Sequence, residues 1–277
     1  MHISLTRWDS LVEVSICRDE LCSWNTLWKW TWFTRDLWIS EHWENTKRAL
    51  DPLFVFLPKM SVKSILDCSC GLGFKTITFA KEGYDVEGSD ASHVAIKYAP
   101  QLAKEHGLSI RFFHSFFKDL PEKAHRIYDC VYSDYFDELG SYEELRESAR
   151  GIYSVLKNGG VFIFCSCSPK WAKSKLNELI ERVWKDHEKF EINPPVKREN
   201  LEVTHIAIAE KTSEGILENN IFLIREKELM WAEIAPIMNP RIKWTYWDYV
   251  KILKDVGFRR IEYIEKVKSE IFVIAIK

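Results

Sequence analysis

Four residues in one short stretch have the types and spacing to do chemistry. Within Ser64 to Ser92, SILDCSCGLGFKTITFAKEGYDVEGSDAS, Asp67 ends a short apolar strand, Gly71 and Gly73 follow it, and Asp90 ends the next strand. A chain leaving a strand must turn sharply to enter the helix expected at 74–82, and glycine permits that turn. Such a helix points its N-terminus into the crevice, and an acid closing the second strand, 84–89, is placed to hydrogen-bond a ribose diol. The spacing predicts a nucleoside site.

Charge decides what the nucleoside carries. A dinucleotide sets its pyrophosphate on the glycine turn, where a carboxylate four residues ahead of Gly71 would repel it, and the third glycine of G-x-G-x-x-G is here Thr76. S-adenosylmethionine has no phosphate and brings an ammonium and a sulfonium, to which Asp67 is complementary. D-x-x-x-G-x-G after one strand and G-S-D-A-S after the next resembles the class I S-adenosylmethionine-dependent methyltransferase family. Tyr128-Asp129-Cys130-Val131 is similar to that family's fourth strand, Leu156-Lys157-Asn158-Gly159-Gly160 to its turn before the fifth, and Val250 to Arg259 to its last helix and turn. The likeness covers about residues 43 to 277, and the Asp-Ala-Ser after the second strand is similar to glycine N-methyltransferase and related small-molecule enzymes.

The resemblance implies S-adenosylmethionine as cofactor and a role for each matching residue. Asp67, Cys68, Ser69, Gly71 and Gly73 would surround the methionine end, Asp90 would take the ribose, and Ala91 with Phe116 and Phe117 would meet the adenine. Ser69 stands where the family usually has glycine, and Phe116 or Phe117 where a polar residue often faces the base, so stacking is expected there. Ser133-Asp134-Tyr135-Phe136 closes the fourth strand beside the crevice, with Ser133 expected among the cofactor-binding residues. It keeps the first and last residue types of the motif in which Asp, Asn or Ser, two prolines and an aromatic precede methyl transfer to nitrogen, but lacks both prolines. Asp134 and Tyr135 are the expected acceptor-side residues, although Asp134 also reads as a cap for the turn. His205, alternating with apolar neighbours, is a third catalytic candidate, and Glu202, Glu226 and Trp231 are pocket candidates by analogy. Methyl transfer is an in-line displacement that needs alignment and exclusion of water more than an acid–base pair.

Alternating strands and helices must position these groups. Strands are expected at 63–68, 84–89, 109–114, 127–133 and 160–166, and helices at 43–57, 74–82, 92–106, 141–156 and 171–187, which argues for an α/β fold with a parallel sheet covered on both faces. The expected architecture is a seven-stranded, mostly parallel, doubly wound sheet of the Rossmann-like methyltransferase type. Its parts are a tryptophan-rich arm or lid at 1–42, a cofactor-binding core at 43–192, an antiparallel substrate-side insertion at 193–243, and a C-terminal completion of the sheet at 244–277. The insertion is expected as extended segments at 201–209, 216–224 and 227–233, and the completion as a helix at 245–256 and strands at 258–265 and 270–276. Residues 1–42 show no clean periodicity and read as short helices packed on the core.

A net charge of −2 from 39 basic and 41 acidic residues disfavours bulk nucleic-acid binding, and no apolar run is long enough to span a membrane. Seven cysteines, an odd number, suggest reduced thiols and a cytoplasmic location. Cys68-Ser-Cys70 and Cys165-Ser-Cys167 read as small buried thiols at strand ends, and no metal is expected. Twelve tryptophans include six between Trp24 and Trp43. Trp38 and Trp43 could wall the cofactor through cation–π contacts, or the cluster could serve core packing or a homodimer contact. The sequence therefore predicts methyl transfer to a nitrogen or oxygen of a small molecule. Its rivals are a protein or RNA methyltransferase, a nicotinamide-dependent reductase, and a non-catalytic cofactor-binding partner subunit.

Overall fold

Strand β1 (Glu13–Ile16) and the long helix α1 (Glu20–Thr34) begin the structure, a computed structural model that describes residues 13–266 and 270–277. Trp8, within the expected arm at 1–42, lies outside the described residues. After α2 (Ile39–Phe56) come β2 (Ser64–Asp67), α3 (Phe74–Lys81), β3 (Asp85–Asp90), α4 (His93–Glu105), β4 (Arg111–His114), the single turn α5 (Leu120–Lys123), β5 (Tyr128–Ser133), α6 (Tyr142–Ser154), β6 (Leu156–Cys167) and α7 (Leu176–Asp186). Five strands follow without an intervening helix for most of their length: β7 (Phe190–Ile192), β8 (Val196–Arg198), β9 (Leu201–Lys211), β10 (Gly215–Glu226) and β11 (Leu229–Arg241). Helix α8 (Tyr246–Val256) and the hairpin β12 (Arg260–Glu265) and β13 (Glu270–Ile276) end the chain.

The core sheet has seven strands in the order β12-β13-β6-β5-β2-β3-β4, parallel from β6 to β4 and antiparallel at β13 and β12. Its central strands are apolar on both faces, with Ile65, Leu66, Val131, Phe162, Ile163 and Phe164 fully buried, because helices cover both sides. Strand order reverses between β2 and β5, so a crevice opens beyond their C-terminal ends. Ser92 caps α4 by accepting from the Ala95 N–H, and Thr245 with Asp248 forms a capping box on α8. These local signals start the helices where the sequence predicts them.

The arm differs from expectation. In place of short helices, α1 runs for 15 residues, capped by Asp19. It is apolar on two sides. Leu27, Trp30 and Phe33 pack on Val203, Phe222 and Ile224 of the second sheet, while Trp28 and Trp32 pack on the side of α4 with Leu102. A helix buried on both sides carries no single apolar stripe, which is why its periodicity is unreadable.

The second sheet has the order β1-β11-β10-β9-β7, with β8 also paired to β9. It starts with β7 at Phe190, a little before the predicted boundary, and β1 from the arm joins its edge parallel to β11. Its inner face carries Val203, His205, Phe222 and Ile224. On its outer face Ile16, Ile234, Ile221, Ile206 and Ile192 stand in register, one from each of five strands.

Candidate active site

Asp67 ends β2 fully buried. Its Oδ2 accepts from Thr76 Oγ1 at 2.7 Å, whereas its Oδ1 has no hydrogen-bond partner. Thr76, the residue that displaces the third glycine, therefore serves the acid. Burial lifts the Asp67 carboxyl to about 7, against the Thr76 hydrogen bond that lowers it. Gly71 (φ 52°) and Gly73 (φ 92°) take the left-handed backbone that the turn into α3 requires. Asp90 spans both turns: Oδ2 accepts the Gly71 N–H and Oδ1 the Ser92 N–H, each at 2.8 Å. Each of its oxygens keeps a lone pair for a diol. Burial raises the Asp90 carboxyl, and the two backbone donors oppose that.

Across the crevice, β5 ends in a polar cluster. Lys75, in the first turn of α3, is ion-paired with Asp134, which also accepts from Tyr132 Oη at 2.8 Å. Burial opposes the Asp134 charge, yet Lys75 and Lys266 hold its carboxyl well below the usual range. Asp134 is thus held ionised as the counter-ion of Lys75. Burial and Lys75 lower His42 to about 4, so it is neutral at pH 7. Tyr135 Oη donates to Glu20 Oε1 of α1 at 2.5 Å, and Glu20 Oε2 accepts from Arg241 Nη2 at 3.2 Å. Burial and then Glu20 push the Tyr135 phenol well above its ordinary value, so its proton stays in place.

Helix α1 closes the space above. Trp24 stacks on Trp28 at 5.5 Å and meets Tyr135 edge-on at 5.6 Å. The Trp28 indole lies 2.9 Å from where a Cβ on Gly71 would stand, and Asn25 Oδ1 accepts from Ser92 Oγ at 2.7 Å. One helix thus touches the glycine turn, the turn after β3 and the turn after β5.

The other expected residues divide. Ser69 and Ser133 tie the ends of β2 and β5 together, Oγ to Oγ at 3.0 Å, and Ser69 Oγ also accepts the Asp134 N–H at 2.9 Å. Ala91 offers its carbonyl to His114 Nε2 at 2.9 Å, and Phe116 sits beside that histidine on the rim, 40% exposed. Phe117, expected at the adenine, instead turns its ring into the core against Phe136, because the backbone here runs against Gly151 of α6. The Cys68 side chain likewise points into the core, its thiol bonding the Tyr132 carbonyl at 3.2 Å. Trp38 and Trp43 pack around Phe74 in the first turn of α3, with Trp43 also against His106. His205 stands on the second sheet, stacked on Phe222, with Nε2 at 2.9 Å from Asn220 Oδ1 and Nδ1 at 3.3 Å from Asn193. Both ring nitrogens are engaged, so it is not poised as a base. Among the described residues no cluster of histidine, cysteine or acidic side chains has the makings of a metal site.

Sequence reasoning missed Glu20, Trp24, Asn25, Trp28, Lys75 and Arg241. The i, i+4, i+8 spacing of Trp24, Trp28 and Trp32 was the available signal, masked by Leu27, Trp30 and Phe33 on the opposite side.

An acid with a free buried oxygen at the switch point of a doubly wound sheet fits the cationic end of S-adenosylmethionine. Residues 59–235 match the family model described as a methyltransferase domain, and the chain belongs to that family. The glycine/sarcosine N-methyltransferase of Aphanothece halophytica is 29% identical over 109 residues, 39% of this chain and 41% of that protein, so the chain spans less than half of that relative. The carboxy-S-adenosyl-L-methionine synthase of Nautilia profundicola is 28% identical over 198 residues, 69% of this chain and 82% of that one. An S-adenosylmethionine-dependent methyltransferase from Clostridium acetobutylicum shares the fold at a TM-score of 0.58 and 17% identity, over 83% of this chain and 91% of that one.

Proposed function

We propose that the chain methylates a nitrogen or oxygen of a small molecule. The carrying observation is the roof: Trp24 and Trp28 of α1 lie across the crevice between Gly71 and Tyr135, which shields it from a folded macromolecule and favours a compact acceptor. S-adenosylmethionine, when bound, supplies an electrophilic methyl on a sulfonium. Asp67 Oδ1 supplies an acceptor for its ammonium, Asp90 takes the ribose diol, Phe116 faces the base, and Trp28 offers an aromatic face to positive charge. The two indoles also exclude water. Because Tyr135 Oη donates its hydrogen bond to Glu20, its oxygen is left as an acceptor for an N–H or O–H on the incoming nucleophile, which orients that nucleophile's lone pair. The glycine/sarcosine relative favours an amine.

The rivals lose support from the same features. A protein or RNA acceptor meets the roof, and a non-catalytic subunit has no use for the Tyr135–Glu20 pair. We read the cysteine usage as a cytoplasmic one. We also read the outer face of the second sheet as a dimer contact with a second copy. Val14, Ile16, Phe190 and Ile192 are more than half exposed there. With the central isoleucines they make an apolar patch on the order of 500 Å², the size that marks a contact site on a monomer. A row of five isoleucines across five strands presents the same chemistry to its own copy.

The acceptor class is tested by incubating the protein with labelled S-adenosylmethionine and a metabolite extract split by size. Label is expected in the small-molecule fraction, and Tyr135→Phe is expected to lower kcat/KM about 10- to 100-fold, ~1.4–2.7 kcal/mol of transition-state binding, with S-adenosylhomocysteine affinity unchanged. Label confined to protein or RNA would overturn the reading.

A further inference from the structure

The linker from β1 to α1 holds a pair of thiols that neither the cofactor nor the acceptor site uses. Cys17 follows β1, anchored by its N–H to the Ile234 carbonyl of β11 at 2.9 Å. Cys22 stands in the first turn of α1, where the Asp19 cap accepts its N–H at 2.8 Å. Backbone bonds thus fix both ends, and the two sulfurs lie 2.7 Å apart, only about 0.65 Å longer than a disulfide bond. Both residues are partly exposed, whereas Cys68, Cys70, Cys130 and Cys165 are buried. Besides Cys22, the Cys17 thiol touches Thr26 Oγ1 at 3.3 Å, a contact that leaves the Cys22 sulfur free to reach Cys17.

We propose that Cys17 and Cys22 form a reversible disulfide that holds the first turn of α1 down over the cofactor crevice. The oxidant is a small-molecule disulfide of the glutathione class. The Cys22 sulfur attacks one of its sulfurs, breaking that S–S bond and releasing one small thiol. Cys17 then gives up its proton and attacks the Cys22 sulfur, forming the protein disulfide and releasing the second small thiol. Two protein thiols are oxidised and one small disulfide is reduced to two thiols. Burial and the neighbouring Cys22 push the Cys17 thiol up to about 11, so loss of its proton makes the second exchange the slower of the two.

The consequence follows from what α1 carries. Its first turn bears Glu20, bonded to Tyr135 and Arg241, and its next turns bear Trp24, Asn25 and Trp28 against the cofactor turns. The cofactor enters and leaves only when these turns lift. A bond from Cys22 to the β-sheet end at Cys17 removes the slack that lifting needs. Oxidation therefore slows cofactor exchange without altering the residues that bind it.

The test treats the full chain with glutathione disulfide and reads it by peptide mass spectrometry under non-reducing conditions and by stopped-flow binding of S-adenosylhomocysteine. The expected result is a single 17–22 cross-link with loss of two hydrogens. Association and dissociation should both slow at least tenfold, both should recover on reduction, and Cys22→Ser should not respond. Glutathione left on either cysteine, or a link to another cysteine, would overturn the pairing. A 17–22 link with unchanged rates would overturn its control of the lid. The mass readout stands even if the cofactor assignment fails.

Discussion

Asp90→Ala tests the cofactor site most sharply, because this carboxylate has two jobs that can be measured apart. Its two oxygens accept the Gly71 and Ser92 N–H groups at 2.8 Å, and its remaining lone pairs are assigned to the ribose. Losing charged hydrogen bonds to the diol costs ~1.5–3 kcal/mol, or ~10- to 150-fold in affinity. Leaving two N–H groups of tight turns without their acceptor costs a further ~1–3 kcal/mol of stability. Calorimetric titration with S-adenosylhomocysteine reads the first quantity and denaturant unfolding the second. Asp90→Asn is the control: it keeps the volume and one acceptor oxygen, so stability should recover in part while ribose binding stays weak. An affinity within threefold of the parent in a folded Asp90→Ala protein would refute the assignment of Asp90 to the ribose.

Two other outcomes follow from the same geometry. Asp67 is raised to about 7 in the fold from the ~3.9 of an unfolded chain, so the native state holds an extra proton between those values. Its contribution to stability therefore falls as pH rises from about 4 to about 7, whereas affinity for the cationic cofactor should climb over the same window and level off above it. Asp67→Asn should flatten the affinity profile in titrations at several pH values, and a parent profile that is already flat would count against Asp67 as the cation's partner. Ile206→Lys, in the middle of the isoleucine row, should convert a dimer to a monomer in sedimentation equilibrium with S-adenosylhomocysteine binding retained, and a monomeric parent would refute the contact.

Legibility in the sequence tracked how one-sided each element's environment is. Strands β2, β3 and β5 and their turns announced themselves because each ends in a polar residue, Asp67, Asp90 or Ser133, followed at once by turn residues. The nucleoside crevice came with them, since it is a property of that topology. Helix α1 did not, because apolar residues on two sides erase its period. Strand β1 is only four residues long and exposed throughout, so its pairing is set by β11 and not by its own pattern. Residues that reach the crevice from those elements, Glu20 and Trp28 among them, were hidden for the same reason. Phe117 misled in the opposite direction: sequence proximity to a motif says nothing about which way a ring turns. His205 looked reactive because its Asn193 and Asn220 partners are far from it in sequence.

The pairing of β1 with β11 also sets an order of events in the life of the chain. Glu13 faces Trp231 across that ladder, so the first described strand waits for one made more than two hundred residues later. At ~5–20 residues per second of synthesis, the arm spends roughly ten to forty seconds outside the ribosome before its docking partner exists. The parallel strands β2 to β6 meet their neighbours sooner, so the crevice between β2 and β5 is built before its roof. During that interval the indoles of Trp24, Trp28 and Trp30 lack the sheet that anchors their helix, and docking of the arm is the step that lets the site exclude water.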